Sequence, residues 1–220
     1  MTSAEERIKE LARAQSLDPA DAERLLDAVR PSSERVRGGL LSNPFDRWSG
    51  EVTSLAGVVV ALGGLATSRL GVRYDGALDL HVVKGPVPFA VALGDQLVAF
   101  VLTAVVMWGA ARFVSRARFV DVLGAVGLSR APIVAAAVPL SFLVPLLPKD
   151  PTSPPNLALL GLVVFALVGI VAQIWLLVLG FRTATGVRGG RLAVTIVAGL
   201  FVAEIVTKAA LALAVALGLH

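Results

Sequence analysis

Residues 192–219 read LAVTIVAGLFVAEIVTKAALALAVALGL. As a helix the run would extend roughly 42 Å, more than the roughly 30 Å hydrocarbon core of a bilayer. The stretch is therefore a membrane span with some length to spare for tilt. Near its middle sit Glu204 and Lys208. A charge at the membrane centre costs about 2.5–3.5 kcal/mol on insertion scales, so each needs a partner, a wet cavity or a role. Because they stand four residues apart on one helix face, they can pair with each other, which lowers that cost without any transported ion.

Composition extends this reading to the whole chain. Its 220 residues are 56% hydrophobic and only 16% charged, and the mean hydropathy is +0.79, outside the range of ordinary globular domains. There are no cysteines, which excludes disulfides, thiolate metal sites and a thiol nucleophile. The formal net charge of +4 does not point to nucleic acid, because the basic residues stand at the ends of apolar runs, where membrane topology accounts for them. The first 30 residues contain no apolar core of a signal peptide, so the first span is expected to direct insertion itself.

Five spans are predicted, at about 52–69, 87–111, 132–148, 157–181 and 192–217. The fold class is accordingly all-α: a polytopic bundle of five transmembrane helices over residues 42–220, preceded by a cytoplasmic helical hairpin and linker over residues 1–41. In the first span Gly57, Ala61, Gly64 and Ser68 fall on one face, which suits close helix packing. The second carries Asp95, the other acid within a span, beside Gln96. If that span enters from outside near Val87, Asp95 lies at a depth comparable with Lys208. Lys208 is then expected to bridge Asp95 and Glu204, tying the second and fifth spans into one intramembrane polar cluster. The third span carries Pro132, Pro139, Pro145 and Pro148, and Pro139 is expected to kink or break it. The fourth contains Gln173 and Trp175.

Between the first two spans, Asp75-Gly76 separates Val72 and Tyr74 from an alternating Leu78, Leu80, Val82 run, which predicts a small external β-hairpin. His81 falls in it and reads as a surface residue; with His220 as the other histidine, no metal site can be built from histidine alone. Residues 112–130 place Phe119, Val122, Leu123 and Val126 on one helical face, which predicts an amphipathic helix lying flat on the membrane.

In the N-terminal part, Ser3 and Glu6 form a capping box for a helix over residues 4–15. Asp18 and Pro19 open a second helix that Pro31 ends. A hairpin this short buries too little to stand alone, so a solvated tail and a docking element both remain open. Phe45 and Trp48, beside Arg47 and just ahead of the first apolar run, are placed as interfacial anchors.

Lys and Arg counts orient the chain: 8 in the N-terminal region, 4 after the second span and 3 after the fourth, against 3 and 1 in the two alternate loops. The N-terminus is expected inside and the C-terminus outside. Residues 112–132, a basic segment ending GLSRAP and leading into a proline-rich span, resemble the Yip family of Ypt/Rab-interacting membrane proteins. That family has a cytosolic N-terminal region, five spans, and a glycine, tyrosine, serine motif with a nearby proline. Gly127, Ser129 and Pro132 match it, and Leu128 stands where the family has tyrosine. The acidic, tyrosine-containing N-terminal motif of eukaryotic members is absent, which points to the prokaryotic branch and a cytoplasmic-membrane location. The likeness covers roughly residues 42–217.

No metalloprotease, P-loop or dinucleotide motif is present, so no enzyme activity, cofactor or catalytic residue is expected. Two functions stay open. One is a scaffold in the bilayer that binds a protein partner through the N-terminal hairpin or inner loops, with homo-oligomerisation undecided. The other is a small transporter, ion pathway or permease-like subunit that uses Asp95, Glu204, Lys208 and the Pro139 break as a polar route.

Overall fold

The computed structural model describes residues 4–14, 18, 21–22, 43–83, 85–146, 154 and 156–218, and the chain divides into two units, residues 1–47 and 48–220. In the first unit, α1 spans Ala4–Arg13 and realises most of the predicted first helix. Of the second, Asp18, Asp21 and Ala22 are described. The rest of it, Ser3 of the capping box, and the linker up to residue 42 lie outside the described residues. Pro44–Asp46 form a 3₁₀ turn, with the Asn43 side chain accepting from the Phe45 N–H.

Among the described residues, the second unit holds five helices long and apolar enough to cross a membrane: Gly50–Ser68, Phe89–Arg112, Phe119–Leu146, Leu157–Thr185 and Gly189–Ala216. The first is α2, started by Ser49, whose hydroxyl accepts from the Val52 N–H. The second is α3 (Phe89–Gln96), a π turn (Leu97–Leu102) and α4 (Thr103–Arg112) in sequence. The third joins α5 (Phe119–Ser129) to α6 (Ala131–Leu143) and a 3₁₀ turn over Val144–Leu146. The fourth is α7 (Leu157–Thr185), capped by Asn156 and ended by Gly186 in the left-handed region. The last is α8 (Gly189–Ala216), the span that carries Glu204 and Lys208.

Three expectations need correction. Residues 119–129 do not lie flat on a membrane surface. They form α5, which packs against α2, α4 and α7 and buries Val122, Gly124, Ala125, Val126, Gly127 and Ser129. Val122 and Val126 enter a core with Met107, Leu177, Phe181 and Ile196. The opposite side packs too, because glycine lets backbones meet: a Cβ on Gly127 would fall 2.6 Å from the Gly57 Cα. A small-residue face seals a helix as well as an apolar one does, and apolar periodicity alone does not register it.

The third span accordingly begins near Phe119 rather than 132, with Arg130 inside it. Pro139 lies within α6 without breaking it. The predicted first-span packing face is also seen, with Gly57, Gly64 and Ser68 buried and Ala61 packed on the core.

The third correction concerns the hairpin. β1 (Val72–Arg73) and β2 (His81–Val82) pair antiparallel with Val72 opposite Val82 and Arg73 opposite His81. The pairing confirms the hairpin, yet residues 74–80 form a longer loop than the tight turn expected. Nor does it project outward. Val72 and Tyr74 are buried with Ala99 and Ala137 of the second and third spans. Gly71 makes the entry possible. Its φ of +80° is a left-handed conformation, and a Cβ there would meet the Val83 carbonyl oxygen at 2.5 Å.

Candidate functional site

The seated loop is where the polar side chains of the spans converge. Arg73, on β1, reaches Asp95 of α3 with Nε to Oδ2 at 2.8 Å and Nη2 to Oδ1 at 3.0 Å. Asp95 is 1% exposed, so this two-point, charge-assisted contact is made largely out of water. The hydrogen bond to Asp95, more than the charges of Asp95 and Asp75, raises the Arg73 pKa against the opposing effect of burial.

The inner side of the loop is held by Arg130. Its Nη1 donates to the Ala99 carbonyl at 2.7 Å, with longer contacts to the Ala77 and Gly76 carbonyls at 3.4 and 3.5 Å. Its guanidinium also lies 5.7 Å from the centroid of the Tyr74 ring. Arg130 is 4% exposed, and among the described residues it has no carboxylate partner. The bonds that solvate this buried cation come from carbonyl dipoles and a ring face, with the Glu204 charge acting on it without a direct contact. The Ala99 carbonyl belongs to the π turn of the second span, where the regular helical ladder is interrupted and a side chain can insert.

Gln173 of α7 adds a bond from Nε2 to the Ala77 carbonyl at 3.1 Å. The Tyr74 hydroxyl lies 2.8 Å from Thr67 Oγ1, which itself donates to the Gly64 carbonyl. The phenol is therefore the donor in that pair. Burial raises the Tyr74 pKa, outweighing the Arg130 charge.

The outer side of the loop is held by α8. Lys208 Nζ lies 2.6 Å from Asp79 Oδ2, 3.1 Å from Asp75 Oδ2 and 3.8 Å from Glu204 Oε1. Glu204 Oε2 accepts from the Ala77 N–H at 3.0 Å. Gly76 packs so closely on this carboxylate that a Cβ would lie 2.6 Å from Oε1, so the glycine of the Asp75-Gly76 pair serves close approach. His81 Nε2 lies 2.9 Å from Asp75 Oδ2. Asp75, Asp79 and His81 bring ligand-type atoms within 4.8 Å of one another, but the Lys208 ammonium already supplies a cation to both aspartates.

Of the predicted polar cluster, Glu204 and Lys208 do approach each other. The bridge from Lys208 to Asp95 is not made: the two spans are joined through the loop, Asp95 by way of Arg73 and Lys208 by way of Asp75 and Asp79. The reason is that a loop carrying its own charges enters between them. The sequence pattern does not pair Arg73, Asp75, Asp79 or Arg130 with these charges. One signal for Arg130 was available: it is the lone charge between two apolar runs, but Pro132 just after it reads as a helix start.

Gly127 of the family-like motif packs on Gly57 and the Phe100 ring, Ser129 Oγ donates to the Val126 carbonyl at 2.8 Å, and Pro132 stands in the first turn of α6. Arg130 thus lies inside the motif. Phe45 is buried and Trp48 exposed.

Five apolar helices around a loop tethered by their few charges define an integral membrane protein. Residues 39–211 match the Yip1 domain, and since this is well over half of the chain, the protein belongs to the Yip family. Neither curated proteins nor solved structures gave a match.

Proposed function

We propose that this Yip-type membrane protein is a membrane-organising scaffold that binds a protein partner through its N-terminal segment or inner loops. It acts without enzymatic activity or cofactor, in a prokaryotic-type cytoplasmic membrane, with the N-terminus inside and the C-terminus outside. The observation that carries this reading is the use of the intramembrane charges. Asp95, Arg130, Glu204 and Lys208 are all engaged with the 73–79 loop or the backbone beside it. Side chains that hold a loop in place are satisfied structural groups and not a relay awaiting a substrate. With Arg130 counted inside a span, the flanking Lys and Arg still favour an inner N-terminus: 8, 3 and 3 against 3 and 1.

Crosslinking and pull-down from native membranes, with and without residues 1–35, tests the scaffold. Partners should be lost on truncation; an unchanged partner set counts against a role for that segment. In parallel, proteoliposomes should show no H⁺ or Na⁺ flux with either the unmodified chain or Glu204→Gln. A flux abolished by Glu204→Gln would overturn the scaffold in favour of a transporter.

A further inference from the structure

A second feature lies away from the loop, between α4 and α8. These helices run antiparallel: Met107 and Ala110 face Gly199, and Ala111 shares a core with Leu192 and Ile196. Beside this contact is a groove of about 470 Å³, walled by Val106, Gly109, Ala110 and Phe113 on one side and Val194 and Ala198 on the other. Its volume is that of a small-molecule pocket. The Thr195 hydroxyl on its wall is turned away from service to a ligand, donating to the Arg191 carbonyl at 2.8 Å. A Cβ placed on Gly109 meets nothing within 4 Å, so the space there is open.

The end of the helix pair next to the groove is basic. Arg112 precedes Phe113, and Arg191 stands one helical turn before Val194 and Thr195 at the same end of the antiparallel pair. Both are exposed. Arg112 lies over the Trp108 ring at 5.9 Å, and among the described residues neither arginine has a carboxylate partner. The acids at this end, Glu51 and Asp121, are both taken by Arg118. An apolar trough at an end of the helix pair that carries two exposed arginines without carboxylate partners is complementary to an amphiphile with an apolar tail and an anionic head.

We propose that the α4–α8 groove is a binding site for an anionic membrane phospholipid, with one acyl chain along Gly109 and Ala198 and the headgroup phosphate on Arg112 and Arg191. The assignment does not depend on whether the protein is a scaffold.

The full chain, reconstituted in nanodiscs of equimolar phosphatidylglycerol and phosphatidylcholine and released for native mass spectrometry, provides the test. The unmodified protein should retain phosphatidylglycerol over phosphatidylcholine by about tenfold. The Arg112→Gln/Arg191→Gln variant, altered only at exposed positions, should lose that preference. Gly109→Leu, which projects into open space, should lower retention of both lipids. Equal retention of the two lipids by the unmodified chain would overturn the proposal without reliance on any variant. So would phosphatidylglycerol retention that Gly109→Leu leaves undiminished, which would mark the arginines as a diffuse surface attraction. A dimer that Gly109→Leu dissociates, with no lipid retained, would assign the groove to a second copy instead.

Discussion

Arg130 and Lys208 hold the same loop from opposite sides under opposite conditions. Arg130 is buried, has no acid among its described partners, and holds the loop through neutral carbonyls and the Tyr74 ring. The Lys208 side chain is 41% exposed and faces three carboxylates. The difference follows from dielectric. A cation that must be buried can be solvated by backbone dipoles already in place, whereas pairing it there would bring a second desolvation cost. A cation at an open edge of the protein can instead be shared among several partly exposed acids, each worth less than a buried contact. The inner contact should therefore determine whether the loop is seated at all, and the outer one how firmly its rim is held.

The largest effect should come from reversing the buried charge. Arg130→Glu sets an uncompensated carboxylate against the Ala99 and Ala77 carbonyls, an error of about 3–5 kcal/mol for a buried unpaired ion. Thermal unfolding in detergent should show a protein that is strongly destabilised or does not accumulate. A midpoint equal to that of the unmodified chain would mean the inner side of the loop is solvated and the comparison with Lys208 is empty.

Less should follow from changes at the rim. Lys208→Met leaves Asp75, Asp79 and Glu204 facing one another, and with these side chains 15%, 44% and 36% exposed the cost should be on the order of 1 kcal/mol and shrink with added salt. The partner that matters can be read from a second substitution. Asp79 lies 2.6 Å from the ammonium and Glu204 3.8 Å, while Glu204 keeps the Ala77 N–H. Adding Asp79→Asn to Lys208→Met should thus restore more stability than adding Glu204→Gln. The reverse order would make the helical pair the principal one and reduce the loop contact to a surface accident.

Local sequence specifies some of these contacts and leaves others to tertiary packing. The five spans were legible because about 20 apolar residues in a row have few alternatives to crossing a bilayer. Glu204 and Lys208 were legible as neighbours because a helix fixes where residue i+4 lies. Asp79 was not, because its 129-residue separation from Lys208 in the chain is closed by tertiary packing. The same limit explains Arg130. On periodicity, residues 119–129 form an amphipathic helix with a lipid face, and contacts between two spans, Gly127 with Gly57 and Gly124 with Thr53, turn that helix inward and carry Arg130 with it. The hairpin was visible in its alternating residues, yet nothing local distinguishes a hairpin in water from one held among helices.

The smallest effect in energy gives the cleanest reading of whether the loop is seated. Tyr74 is the one tyrosine of the chain, so phenolate absorbance reports on the inner side of the loop alone. Burial raises its pKa in the folded protein above the ordinary value near 10. The folded state thus holds the proton more tightly than the unfolded one. The phenol's contribution to stability is complete below the unfolded value and is lost as pH rises from there through the raised folded value. In a spectrophotometric titration in detergent, phenolate should appear at higher pH than for an ordinary tyrosine, or together with unfolding. Lys208→Met, which loosens the rim, should move that titration little. Arg130→Met removes a favourable charge but also the contact that seats the loop, and should bring ionisation down toward pH 10. If both variants titrate alike, the two sides of the loop are not separable, and one contact holds it as a single unit.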